Sequence, residues 1–330
     1  NNAGNSFQGT EVEIVGHGSS TVDENNEVCF DDVAAGVQRA AFTGPNHLTR
    51  RVRLNIMAGV VNIFDGVDLV EPGPFDVEAF DEIYRSFSVD GTVRWKTPPT
   101  RVLLDRDSLG SLDQGLAFFE DNVRRSFNTW LSNSTEGFFA PTPVTVGSIG
   151  PIDPEDFSCS DVPPGEIHIV GIDECPVEEN FIILGSATHC FDTVGNEVVL
   201  GAIFFNPCST VTTIEHEIIH TLCAGHLESR PNDSIMGSPG GAEEILPLDR
   251  RHMRYLYRRP AGTITPDDAW GLTPLEPMTS VAGTQLGSPA GDLFLPRVPD
   301  GGVDDEILRP SRLAPRPPAE RDAARGRPEH

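Results

Sequence analysis

Three residues in this chain could work on one reacting bond together: His216, Glu217 and His220, in the run Thr213-Ile-Glu-His-Glu-Ile-Ile-His-Thr-Leu-Cys-Ala-Gly-His226. Residues four apart lie on one face of a helix, so His216 and His220 can turn imidazole nitrogens toward one ion while Glu217 sits one step around. That pattern predicts a zinc site with a base beside it. A hydrolytic zinc needs three protein ligands and an open position for water, which the metal acidifies toward neutral pH. His226 is the natural third ligand, and Glu243 or Glu244 is the carboxylate alternative. Glu217 would take a proton from the acidified water as it attacks a carbonyl, then pass it to the leaving amine. The plainer reading is a chance match on an amphipathic surface helix.

The longer run, with His226 six residues after His220 and Met236 in the Gly/Ser/Pro-rich turn Ser234-Ile-Met-Gly-Ser-Pro239, resembles the metzincin metalloproteases, and among them the matrixins and their bacterial relatives. The resemblance implies His216, His220 and His226 as zinc ligands, Glu217 as catalytic acid and base, and Met236 as the methionine beneath the metal. Cys223 stands where the family pattern H-E-x-x-H-x-x-G-x-x-H has a glycine. That glycine ends the helix in a left-handed conformation, which would cost a cysteine about 1 kcal/mol or more. Gly225 is the other place for the turn. Gly237-Ser238 follow Met236, so the tyrosine ligand of some metzincin branches is absent, which fits the matrixin-like reading.

What must position these residues is spread over 330 residues, enough for two domains, and 38% of them are hydrophobic. A formal charge of −26 opposes nucleic acid or an anionic membrane as partner. Only Lys96 among 24 basic residues is a lysine, which suits a salty habitat, calcium loading or an arginine-favouring genome. No run approaches the length of apolar residues that spans a bilayer, and the first residues do not read as a signal peptide, so a mature chain lacking its leader is expected. Cys29, Cys159, Cys175, Cys190, Cys208 and Cys223 lack the spacing of a cysteine zinc site and suggest an oxidising, secreted or cell-surface setting with one to three disulfides. Cys159 with Cys175 and Cys190 with Cys208 are the sequence-local pairings.

The predicted architecture is α+β. Alternation at Val12 and Ile14, at Val52, Leu54 and Ile56, and around Val67 and Leu69 predicts short antiparallel strands over residues 1–72. The run Gly9 to Gly36, with Asn26 at a turn, resembles the carboxypeptidase-regulatory-like β-sandwich, which implies a small accessory module. Cys29 is the one upstream cysteine, as in the latency switch of matrixins, but Glu27-Val-Cys-Phe30 lacks the Pro-Arg-Cys-Gly setting. A small hydrophobe buried in a strand is the expectation there. Glu71-Pro-Gly-Pro74 marks a boundary, and 73–92 reads as a linker holding a short helix from Asp76 to Ser86.

Residues 93–259 are the expected catalytic domain. Val93 to Trp95 and Arg101 to Leu104 read as the entry and first strand. Leu116, Phe119, Val123, Phe127 and Leu131 form the apolar stripe of a packing helix. Val144 to Val146 and Glu166 to Val170 read as further strands, with His168 facing solvent. The family resemblance implies a twisted, mostly parallel sheet whose antiparallel edge strand, Ile182 to Phe191, pairs with an extended peptide. Val198 to Phe205 leads to the zinc helix, and Glu244 to Tyr257 closes the domain, with Tyr255 and Tyr257 in packing roles. Acidic clusters at Asp153 to Asp156 and Asp173-Glu174 are places for structural Ca2+ or merely solvated loops. Residues 260–330 are Pro-, Gly- and charge-rich and read as a mostly flexible tail, with Asp267 to Trp270 able to dock.

The expectation is therefore a secreted, monomeric zinc endopeptidase acting on extended protein or peptide substrates. The alternative is a binding or adhesion protein whose protease domain has lost activity.

Overall fold

The computed structural model describes residues 7–45, 47–64, 69, 75–85, 91–175, 177–178, 181–182, 184–192, 194–238, 241–264, 267–272, 274–277 and 279–282. Four antiparallel strands come first: β1 (Glu11–Ile14), β2 (Gly18–Thr21), β3 (Gly36–Gly44) and β4 (His47–Ile56), in the order β2-β1-β3-β4. Alternation on β1 and β4 buries Val12, Ile14, Val52 and Leu54, and Val12, Val52 and Leu54 pack with Ala40, Phe42 and Val22. The strand β3 was not evident in the sequence, because its pattern of exposure is irregular. Cys29 corrects the sequence reading: it lies outside any strand and is exposed. The strand expected around Val67 falls outside the described residues. A short β5 (Val60–Ile63) follows, and then helix α1 (Val77–Tyr84), capped by Asp76 and buried along Ala79, Phe80, Ile83 and Tyr84.

The larger sheet contains β6 (Arg101–Asp105), β7 (Val144–Gly147), β8 (Glu166–Gly171), β11 (Gly185–Asp192) and β12 (Glu197–Phe205), in the order β11-β12-β8-β6-β7. The inner pairings are parallel, and β11 alone runs antiparallel, along β12. Val93 to Trp95 forms no strand, only a bridge from Arg94 to Glu197. Between β6 and β7 run α2 (Arg106–Ser111), α3 (Gly115–Ser126), a π-helical turn at Phe127–Leu131 and α4 (Ser132–Ser134). The stripe expected on this stretch is buried at Phe119, Val123, Phe127 and Leu131. The short ribbon of β9 (Val177–Glu178) and β10 (Phe181–Ile182) precedes β11.

The two faces of this sheet carry different cores. Val102, Leu104, Ile167, Ile169, Ile203 and Phe205 face the helices, while Val170, Leu200, Ala202 and Phe204 pack with Val162 and Cys190 on the other side. His168 points to that second side. It is buried rather than solvent-facing, because a neighbouring segment covers the strand there, and its Nε2 lies 2.8 Å from Glu166 Oε2.

The disulfides also differ from the sequence-local pairing: they join Cys159 to Cys190 and Cys175 to Cys208. Topology explains both. The segment holding Ile149, Ile152 and Phe157 packs on the face where Cys190 points. The parallel strands β8 and β12 end side by side, Gly171 opposite Phe205, so the chain just beyond each brings Cys175 to Cys208.

Helix α5 (Val211–His220) follows β12, and α6 (Pro247–Arg258) packs behind it. The chain then returns to the amino-terminal sheet. Asp267 and Ala269 exchange backbone bonds with Arg51, Leu275 does so with Arg53 and Asn55, and β13 (Thr279–Ala282) pairs with β5. Trp270 Nε1 donates to Ala40 O at 3.1 Å, with the Arg39 and Arg51 guanidiniums over its ring. No helix among the described residues is long and apolar enough to cross a membrane.

Candidate metal centre

Helix α5 is built from residues that do not favour helices, Thr and Ile above all, so its stability comes from caps and burial. Thr210 Oγ1 accepts from Thr213 N at 3.2 Å while Thr210 N donates to Thr213 Oγ1 at 3.1 Å. Ile214, Ile218 and Ile219 are fully buried, each contributing about 2 kcal/mol. At the other end, the buried Trp95 Nε1 donates to Thr221 O at 2.8 Å. The helix therefore enters and leaves in a fixed orientation, with His216 and His220 on one face.

The turn toward His226 is made at Cys223, not at Gly225. Cys223 has φ +68, in the left-handed region, and Gly225 does not have a positive φ. The thiol is buried in the core, which offsets the backbone cost, and burial pushes it up to about 12. The reversal returns Ala224 O to His220 Nδ1 at 2.7 Å. Gly225 N then donates to Ile83 O on α1 at 2.6 Å.

The methionine turn is fastened to the same segment. Leu227 N donates to Met236 O at 2.8 Å, and His216 Nδ1 lies 2.7 Å from Ile235 O. Asp249, near the start of α6, organises this turn: its Oδ1 accepts from Ser234 Oγ at 2.5 Å, and its Oδ2 accepts from Leu246 N at 2.8 Å. Ser234 Oγ in turn accepts from Met236 N at 2.9 Å. A β-carbon at Gly237 would stand 1.8 Å from Pro231 O, so only glycine fits behind Met236. Met236 itself is buried in the main core.

These supports bring three imidazoles together. The Nε2 separations are 3.0 Å for His216 and His220, 3.1 Å for His220 and His226, and 3.3 Å for His216 and His226. A tetrahedral zinc with bonds of about 2.0–2.1 Å places its ligand nitrogens about 3.3 Å apart. The tautomers fit as well. Where Nδ1 donates its proton to a carbonyl, as at His216 and His220, Nε2 of the neutral ring carries only a lone pair. Lone pairs at such separations repel one another unless a cation lies between them. Burial pushes His216 down to about 4 and His220 well below its ordinary value, so both rings are neutral at pH 7.

Among the described residues, this is the one group of three His, Cys, Asp or Glu side chains close enough to hold a metal ion. It contains His226 and neither Glu243 nor Glu244, and neither acidic cluster proposed for calcium forms a second such group. Glu217 is buried, with Oε2 lacking a hydrogen-bond partner, and burial pushes its carboxyl up to about 8. A positive charge at the neighbouring histidines is what would return it to the anionic form near neutral pH. Beside the triad lies a cavity of about 370 Å³, bordered by Ala187, His189 and Phe191 of β11 and by His220, Gly225 and His226.

The sequence did not point to Asp249, Trp95 or the carbonyls of Ala224 and Ile235. Asp249, two residues after Pro247 at a helix start, was the one with a visible local signal.

No family model and no curated protein matches this sequence. Among solved structures, this chain is similar to the crystal structure of metalloproteinase-II from Bacteroides fragilis, with a TM-score of 0.31 and 13% identity, over 69% of this chain and 78% of that one. A likeness of that extent assigns neither fold family nor function.

Proposed function

We propose that this chain is a zinc-dependent endopeptidase of the metzincin type, matrixin-like in its third histidine and its methionine turn. The observation that carries the proposal is the convergence of three Nε2 atoms within 3.3 Å, with the outer nitrogens of His216 and His220 held by main-chain carbonyls. His216, His220 and His226 would hold the ion. Zinc bound there supplies Lewis acidity, acidifying water and polarising a peptide carbonyl.

The chain's own residues do the rest. Glu217, next to His216 and dry, accepts the proton of the attacking water and delivers it to the leaving nitrogen. Strand β11 ends the sheet among the described residues, and its outer edge would take an extended peptide as an added antiparallel strand. The cavity bordered by Ala187 and Phe191 receives a substrate side chain. Met236 serves as a rigid base for the segment bearing His226, to which its carbonyl is bonded. The two disulfides suit an oxidising, extracellular setting. The left-handed conformation at Cys223 lets a cysteine make the turn that the family pattern gives to glycine, which supports the enzyme over an inactive binding protein.

The test is hydrolysis of an unstructured protein such as casein by the zinc-loaded chain, against Glu217→Gln. Loss of turnover by about a hundredfold or more with zinc content unchanged is expected. Retained turnover in the variant, or zinc uptake by the wild type with no hydrolysis, overturns the assignment.

A further inference from the structure

Two of the three histidines stand on a capped, buried helix; the third does not. His226 lies on an irregular segment, Gly225 to Arg230, whose residues 228–230 are exposed. Such a segment must be ordered before its imidazole can serve, and the ordering entropy is about 1–2 kcal/mol per residue. Helix α1, which the sequence presents as part of a linker, supplies that order. Glu82 accepts from Glu228 N at 2.6 Å and Ser229 N at 2.9 Å through Oε1, and from Ser229 Oγ at 2.5 Å through Oε2. At the start of α1, Asp76 caps the helix with Oδ1 and receives Arg230 Nη2 on Oδ2 at 2.6 Å. On the other flank of His226, Gly225 N donates to Ile83 O.

We propose that Glu82 is a positioning residue for the metal centre, holding the His226 segment so that the third imidazole meets the other two. The inference rests on the reading of the histidines as a metal site. A carboxylate suits the task because one oxygen accepts two adjacent main-chain N–H groups while the other takes the Ser229 hydroxyl. A glutamine at position 82 has only one acceptor oxygen.

The experiment measures zinc affinity of the full chain by competition with a chromophoric chelator. It compares wild type, Glu82→Ala, Glu82→Gln and His226→Ala, and Glu82→Ala combined with His226→Ala. Glu82→Ala is expected to weaken zinc binding about tenfold or more, with a smaller loss in Glu82→Gln. In the His226→Ala background, removing Glu82 should change affinity by less than about twofold, because the residue acts through His226. Affinity unchanged in Glu82→Ala overturns the proposal, as does the same fold-loss in both backgrounds, which would mark general destabilisation. Should Glu82→Ala not fold, Ser229→Ala removes one of the bonds from the opposite side and must show the same dependence on His226. A wild-type chain that takes up no zinc overturns the metal-site reading itself; a wild-type chain that binds zinc, with Glu82→Ala binding it equally well, overturns only the positioning role.

Discussion

Glu217 rests against Gly185, the first residue of β11: a β-carbon there would stand 3.1 Å from Glu217 Cγ and 3.3 Å from its Oε1, and 2.8 Å from Thr213 Cγ2 one turn away. The edge strand and the carboxylate proposed to transfer the proton are therefore in contact, and only a missing side chain permits it. Gly185→Ala should push β11 and α5 apart at Thr213 and Glu217, shifting the carboxylate by a few tenths of an ångström and lowering kcat about tenfold, with zinc content unchanged. Steady-state kinetics and metal analysis on the same preparation check this, and an unaltered kcat would show that the carboxylate tolerates the crowding.

The thiols are predicted to differ sharply. Cys29 is exposed, while Cys223 is buried and its thiol is pushed up to about 12. A thiol-specific reagent should titrate one group in the native chain and two in denaturant, the disulfides remaining intact. Two reactive thiols under native conditions would contradict the burial of Cys223.

Cys223 also poses a question of conformation against packing. Replacing it with glycine relieves about 1 kcal/mol of left-handed strain and forfeits a buried side chain of similar worth. Cys223→Gly should leave stability within about 1 kcal/mol of wild type. Cys223→Val places a β-branched residue at φ +68 and should cost about 2 kcal/mol or more, and the turn that brings Ala224 O to His220 should suffer with it. Urea denaturation of both variants, with zinc affinity alongside, measures the two effects.

His252 on α6 sets a pH dependence. Its ring is fully buried, 5.0 Å from Phe75 and 5.4 Å from Phe80, and burial pushes it down to about 4 despite the nearby Asp76 carboxylate; Arg251 and Arg230 add to the lowering. The unfolded chain takes up this proton from about pH 6.5 downward while the folded chain refuses it until about pH 4. Stability from this group is therefore complete above pH 6.5 and lost as pH falls toward 4, by about 3 kcal/mol. Other buried histidines contribute in the same direction, so the measurement is the difference between wild type and His252→Gln in urea midpoints at pH 7.5 and pH 4.5. The variant should show the smaller acid loss.

The grouping of the candidate site was legible because it is local. His216, Glu217 and His220 share a helix face, and that relation is fixed by spacing alone. The mostly parallel sheet was an implication of the family resemblance, while periodicity alone marked the packing helix at Leu116 to Leu131. What lay hidden depends on partners distant in sequence. Glu82 reads as an ordinary exposed acid until Ser229 is found beside it, and His168 reads as solvent-facing until the covering segment is placed. Disulfide partners were misjudged for the same reason, since parallel strand ends, not sequence proximity, bring Cys175 to Cys208.

The return of residues 267–275 to the margin of β4 carries a consequence for biosynthesis. Arg51 meets Asp268 across 217 positions of chain, so during synthesis the strands of this small sheet wait for nearly all of the histidine-bearing region before their border is satisfied. Until then that border offers unpaired amides to any passing strand, a hazard for aggregation. Cleavage after Arg259 would reopen it in the finished molecule, leaving the histidines in place while loosening the opposite end.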